Sequence, residues 1–171
     1  MRAFLPLLAL VIFGLTAPAA AAEQKPVDLL GNFKNWSSYS YDDNGKVCFM
    51  ASKPTKSLPV GAKRGDIYLM VTHRPALSSK GVVSVVAGYP YKPGSEVTLA
   101  IGNQKFTLFT EGDTAWARDE ATDASIVQAI RTGASVTVTG TSTRGTKTTD
   151  TYSLSGSGAA HDAINKDCGV N

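Results

Sequence analysis

Only two cysteines occur in the 171-residue chain, Cys48 and Cys168, and they lie 120 positions apart. Joined, they tie the last residues of the chain to a segment near its start, so whether they pair constrains the fold more than any other local feature. An even cysteine count favours a disulfide wherever the compartment is oxidising. Such a bridge closes a loop of roughly 120 residues, valued in the chain-entropy picture at about 4.7 kcal/mol or slightly more. Two buried free thiols are the alternative. A metal site fits less well, because neither CxxC nor HxxxH spacing exists.

The compartment is read from the first 22 residues. Met1-Arg2 is a short positive start, Ala3 to Leu15 is an apolar run, and Ala17-Pro18-Ala19-Ala20-Ala21-Ala22 supplies small residues for a protease. An A-x-A site at Ala20 and Ala22 predicts cleavage after Ala22. An uncleaved anchor is the alternative, but about 13 residues of helix span ~20 Å against a hydrocarbon core of ~30 Å. No later segment is apolar for long enough to span. The expectation is therefore a periplasmic or secreted protein with a signal peptide over residues 1–22, a flexible lead over 23–31 and one domain over 32–171.

Composition narrows the class. The whole chain is 43% apolar with a net charge of +3, and loss of Arg2 leaves +2. This excludes a polytopic membrane protein, a disordered chain and a disulfide-dense miniprotein. The charge is too small to argue for nucleic acid.

Strand signals follow one another along the mature chain. Phe33 to Tyr41 leads into Asn44-Gly45, a strong hairpin signal because both residues tolerate positive φ. Lys46 to Lys53 returns with Cys48. Pro54 to Gly65 reads as a loop. Asp66 to Arg74 and Gly81 to Gly88 are apolar, β-branched runs. Val97, Leu99 and Ile101 alternate with small or polar residues, and Phe106 and Leu108 resume that alternation after Gly102-Asn103. Thr114 to Arg118, the strand of Val136 and Val138, and Lys147 to Ser155 complete about nine strands. Helical spacing replaces the period of two over Thr122 to Thr132, with Thr122 or Asp123 as cap, and over Ser157 to Cys168. The pattern is mainly β, a sandwich or partly closed barrel with two short helices.

Several residue groups invite a chemical reading. Gly140 to Thr148 resembles a phosphate loop, but Thr146 separates Gly145 from Lys147 and strands flank the segment, so a hairpin turn fits better. Arg64-Gly65-Asp66 is a tripeptide that integrins read, which makes an adhesin one alternative. Glu111, Asp113, Asp119, Glu120 and Asp123 lack a calcium-loop spacing. His73 and His161 are the only histidines, and His73 is the candidate if the chain is an enzyme; no G-x-S-x-G elbow or HExxH accompanies it. Trp36, Trp116, Tyr89 and Tyr91 are core or a stacking surface according to their exposure.

With these residues in view, the chain resembles the invasion-associated locus B family of bacterial secreted proteins. The matching pieces include Lys46-Val47-Cys48-Phe49, Val71-Thr72-His73-Arg74-Pro75, Gly88-Tyr89-Pro90-Tyr91-Lys92-Pro93-Gly94-Ser95 and Gly112-Asp113-Thr114-Ala115-Trp116. Asp150-Thr151-Tyr152-Ser153-Leu154-Ser155-Gly156 and Ile164-Asn165-Lys166-Asp167-Cys168-Gly169 follow in order. One departure is Ser157-Gly158, where the family more often has a bulkier apolar residue. The resemblance implies an immunoglobulin-like β-sandwich, an alphaproteobacterial source, an envelope location and, in pathogenic members, a link to host-cell invasion. It supplies no catalytic residues and no cofactor. The function expected is a non-enzymatic binding module with an unknown envelope or host-surface partner. Its contact surface is expected among the turns, at Tyr89, Tyr91 and Lys92.

Overall fold

A computed structural model describes residues 25–170, so the expected signal peptide over 1–22 lies outside the described residues. The chain opens with β1 (Asp28–Phe33), β2 (Trp36–Asp42), β3 (Lys46–Ser52) and a short β4 (Lys56–Leu58). The hairpin β5 (Tyr68–Arg74) and β6 (Ser79–Val86) follows, then β7 (Glu96–Ile101), β8 (Gln104–Glu111) and β9 (Thr114–Trp116). Helix α1 (Glu120–Thr132) leads to β10 (Ser135–Thr141) and β11 (Lys147–Ser153), and α2 (Ser157–Cys168) ends the fold. The β2–β3 turn forms where Asn-Gly predicts it, with φ of 54° at Asn44 and 125° at Gly45.

The strands hydrogen-bond into one eleven-stranded antiparallel sheet, ordered β1-β2-β3-β5-β6-β9-β8-β7-β10-β11-β4. Only residues 53–55 link β3 to β4, although β4 lies at the far end of that order. Such a link reaches at most about 14 Å. The sheet must therefore fold back until its ends face each other near the ~10 Å spacing of packed sheets. Trp36 Nε1 donates to the Ser153 carbonyl at 3.0 Å, and the Asn35 N–H donates to the Ser155 carbonyl at 3.3 Å, which joins the two ends. A single core forms between the halves, with Trp36, Met50, Leu69 and Val71 from one side and Leu99, Leu108, Val138 and Tyr152 from the other. The mainly β class with two helices is as expected, and the folded-over sheet is compatible with an immunoglobulin-like sandwich.

Three expectations need correction. The lead is shorter than residues 23–31, because 28–31 belong to β1, where Leu30 and Phe33 pack against the core. A register shift between Leu29 and Gly31 breaks the alternation that would have revealed the strand. The loop over 54–65 contains β4. Helix α1 starts at Glu120 rather than Thr122, since Asp119 is the cap and accepts from the Thr122 N–H at 2.7 Å.

Helix α2 spans the predicted residues and seats against β1, β2, β3 and β5. Ala160 and Ile164 are fully buried on its inner stripe, and Ser38 Oγ donates to the Ala160 carbonyl at 2.8 Å. Cys168, one turn beyond Ile164, is disulfide-bonded to Cys48 of β3 with 6.0 Å between Cα atoms. The departure at Ser157-Gly158 is accommodated in the docking: Ser157 is buried and donates to the Ile130 carbonyl at 2.7 Å, joining the start of α2 to the end of α1. Replacing both cysteines with alanine is expected to lower stability by about 2–5 kcal/mol, read as an earlier urea midpoint. A loss below about 0.5 kcal/mol would show that packing alone holds the helix.

Candidate functional site

Pairing in the β5–β6 hairpin slips near its turn: Thr72 faces Val82, but Arg74 faces Ser79. The displaced stretch includes Gly81, whose φ of +68° is a conformation glycine adopts without strain. Its N–H leaves the ladder and donates to Nδ1 of His73 at 2.9 Å. A backbone N–H can only donate, so Nδ1 carries no proton and Nε2 does. That Nε2–H donates to Asn165 Oδ1 at 2.8 Å. The Asn165 amide nitrogen then faces Nδ1 of His161 at 3.3 Å, and Arg131 Nη1 donates to the same atom at 2.6 Å. One backbone donor thus fixes the tautomer of His73, the orientation of Asn165 and the tautomer of His161.

The two histidine rings meet edge to face, with centroids 5.6 Å apart. They line a cleft of about 610 Å³ between α1, α2 and the β5–β6 hairpin, within the range of small-molecule sites. His161 and Asn165 are four residues apart on α2 and so share a face. Ala121, Ala124 and Val127 give α1 an apolar wall, while Lys80, Glu120 and Gln128 supply polar groups. Helix α1 is held there by Asp123, which accepts from the Val83 N–H at 2.8 Å, and by the Arg131–Asp162 ion pair at 2.7 Å.

Electrostatics keep both rings neutral. Burial pushes His73 below the ordinary histidine range, against the pull of its Asn165 hydrogen bond. Burial, then Arg131 and His73, pushes His161 down to about 4 against the opposing charge of Asp162. His73 is 2% exposed and lines the cleft with a partner in reach, as an enzyme would require. That partner is an amide, however, and both ring nitrogens are occupied. A proton on Nδ1 would expel the Gly81 N–H, so His73 is poorly built as a general base. What the network leaves to the cleft is the Nε2–H of His161, which has no partner among the described residues.

The other sequence candidates lie elsewhere. Tyr89 and Tyr91 are only 8% and 5% exposed, so the expected contact surface at Tyr89, Tyr91 and Lys92 is corrected: Lys92 alone is exposed. Tyr89 Oη lies 2.6 Å from Thr148 Oγ1, and the two tyrosine rings pack edge to face. The Arg64 guanidinium sits 4.9 Å over the Tyr89 ring and holds Asp150 through two hydrogen bonds of 2.8 and 2.7 Å. Arg64 is thereby buried, which removes the splayed pair that adhesion through Arg64-Gly65-Asp66 needs; Asp66 alone is exposed, 3.4 Å from Lys53. Gly140 to Thr148 forms the end of β10, a turn and the start of β11. Of the acidic group, Asp119 and Asp123 spend oxygens on backbone N–H groups.

Asn165, Arg131 and Gly81 are not singled out by the sequence, and His161 stands there only as the second histidine, with no role. The i, i+4 spacing of His161 and Asn165 was the available signal, and it gains meaning only when α2 is laid beside His73. A protein-family model described as invasion associated locus B (IalB) protein matches residues 37–165. The chain belongs to the invasion-associated locus B family. No curated protein and no solved structure matches it. The family match takes in the whole histidine–asparagine network, from His73 to Asn165. Membership in the invasion-associated locus B family and the disulfide together point outside the cytoplasm, and no helix among the described residues is long and apolar enough to cross a membrane.

The buried rings predict acid sensitivity. A histidine held below its unfolded value of 6.5 stabilises the fold fully above about pH 6.5, and that contribution is lost as pH falls toward 4. The loss for His161 is expected to be on the order of 2 kcal/mol. His161→Asn, whose amide oxygen can stand near the place of Nδ1, should flatten the stability–pH curve between 6.5 and 4. An unchanged slope in urea titrations would refute the assignment.

Proposed function

We propose that the mature protein, freed of residues 1–22, is a non-catalytic binding module of the envelope or of a host-facing surface. Its ligand site is the cleft between α1 and α2. The observation that carries this reading is the closed hydrogen-bond chain from the Gly81 N–H through His73 and Asn165 to His161. Every polar atom of His73 is spent on structure, while His161 offers the cleft a single N–H. Lys80 and Glu120 add one charge of each sign, Arg131 being paired with Asp162, and Ala121, Ala124 and Val127 add an apolar wall. This combination suits a small amphipathic molecule with an acceptor oxygen, held by a few directed groups against apolar surface. The family description supports the link to invasion, and the disulfide supports action in an oxidising compartment.

A photoreactive benzoylphenylalanine placed at Gln128, on the cleft rim, or at Lys92, on the exposed turn, tests this in living cells. The reading expects a small-molecule adduct by intact mass at position 128 and none at 92. Adducts at 92 alone would move the function to the turn, and no adduct at either position would overturn the binding role.

A further inference from the structure

One end of the folded sheet gathers unpaired positive charge around an apolar tip. The antiparallel register sets Lys56 opposite Thr151 and Leu58 opposite Thr149, so the residues after Leu58 come level with Lys147 at the start of β11. The chain then turns, with the Ala62 N–H donating back to the Pro59 carbonyl at 3.4 Å. Leu58 is 38% exposed and Val60 86%, the highest value among the large apolar side chains of the described residues.

The tip is held out into solvent by anchors on both sides. Its incoming side is fixed by the pairing of β4 with β11. Its outgoing side is fixed by Arg64, which donates to the Ala87 carbonyl at 2.9 Å and to both oxygens of Asp150, and by the Gly65 N–H on the Gly88 carbonyl at 2.8 Å. Lys56 and Lys63 bracket the tip, and no carboxylate lies between them in the sequence. Arg144 and Lys147 join them from the β10–β11 turn. All four cations are exposed, and none has an ion pair among the described residues. Asp66 and Asp150 are spent on Lys53 and Arg64. Glu111 and Asp113 flank Gly112, whose carbonyl accepts from the Tyr91 N–H at 2.8 Å, so they offset Lys92 on the adjoining turn.

We propose that this end docks on a bilayer surface rich in anionic phospholipid, with Leu58 and Val60 entering the headgroup layer. Apolar side chains set between lysines suit such an interface: the tip leaves water while the charges stay level with the phosphates. An acidic polymer in solution would satisfy the cations but give Leu58 and Val60 nothing to enter. The surface shares no residue with the cleft between α1 and α2, so it stands or falls apart from the binding proposed there.

The test is co-sedimentation of the full mature chain with vesicles of phosphatidylcholine, alone or mixed with phosphatidylglycerol in equal parts. Binding is expected only where phosphatidylglycerol is present, and it should fall as salt is raised. Lys63→Gln and Lys147→Gln should each weaken it about fivefold. Lys105→Gln is the same charge loss at the opposite end of the strands, where Ala100 pairs with both Lys105 and Thr137, and should leave binding unchanged. Val60→Ser should weaken binding about fivefold. All four side chains are exposed, and thermal midpoints establish folding. Equal binding to both vesicles, or to neither, overturns the proposal. So does an equal loss in Lys105→Gln and Lys147→Gln, unchanged affinity in Val60→Ser, or binding to soluble polyphosphate in place of vesicles.

Discussion

The covalent tie between Cys48 and Cys168 is the constraint from which the placing of α2, and with it the cleft, follows. Sheet pairing alone can build the two halves of the fold and their shared core. It does not place α2, which comes last in the described chain and whose buried residues are Ser157, Ala160, His161 and Ile164, only two of them apolar. The bridge anchors the C-terminal end of that helix to β3, while Ser157 anchors its first turn to α1. Held at both ends, α2 presents His161 and Asn165 to a histidine on β5.

The network so assembled is directional. It begins at a backbone N–H, which cannot reverse its role, and each later group is set by the one before it. Burial reinforces the arrangement by disfavouring the charged form of either ring. A polar chain that is fully satisfied specifies one relative position of sheet and helix, and half-satisfied it is costly. The cleft is accordingly a stable hollow whose shape depends on hydrogen bonds as much as on packing. The opposite face of the same sheet is made differently: the rings of Tyr39 and Phe49 stack on one another, and Lys25 and Arg74 share the carboxylate of Asp43.

Strands with regular alternation were legible in the sequence: Val97 to Ile101, Phe106 to Leu108 and Val136 to Val138 all stand where the period of two puts them. So was α2, because its stripe has a single spacing from Ala160 to Cys168. β1 was hidden by its register shift, and β4 by the prolines around it. Tyr89, Tyr91 and Arg64 misled for a different reason. Gly and Pro beside a polar or aromatic side chain read as an exposed turn, whereas their partners Thr148 and Asp150 lie 59 and 86 residues away. No local pattern encodes such distances. The same holds for the cleft, whose parts come from β5, α1 and α2.

Amide hydrogen exchange on the oxidised protein and on the double Cys→Ala variant is the most direct check that the bridge builds the site. The bridge-dependent arrangement requires selective loss of protection in α2 and at Gly81, with the β10–β11 hairpin keeping its protection. Equal protection of α2 and Gly81 in both proteins would mean that the helix and its histidine network stand without the disulfide.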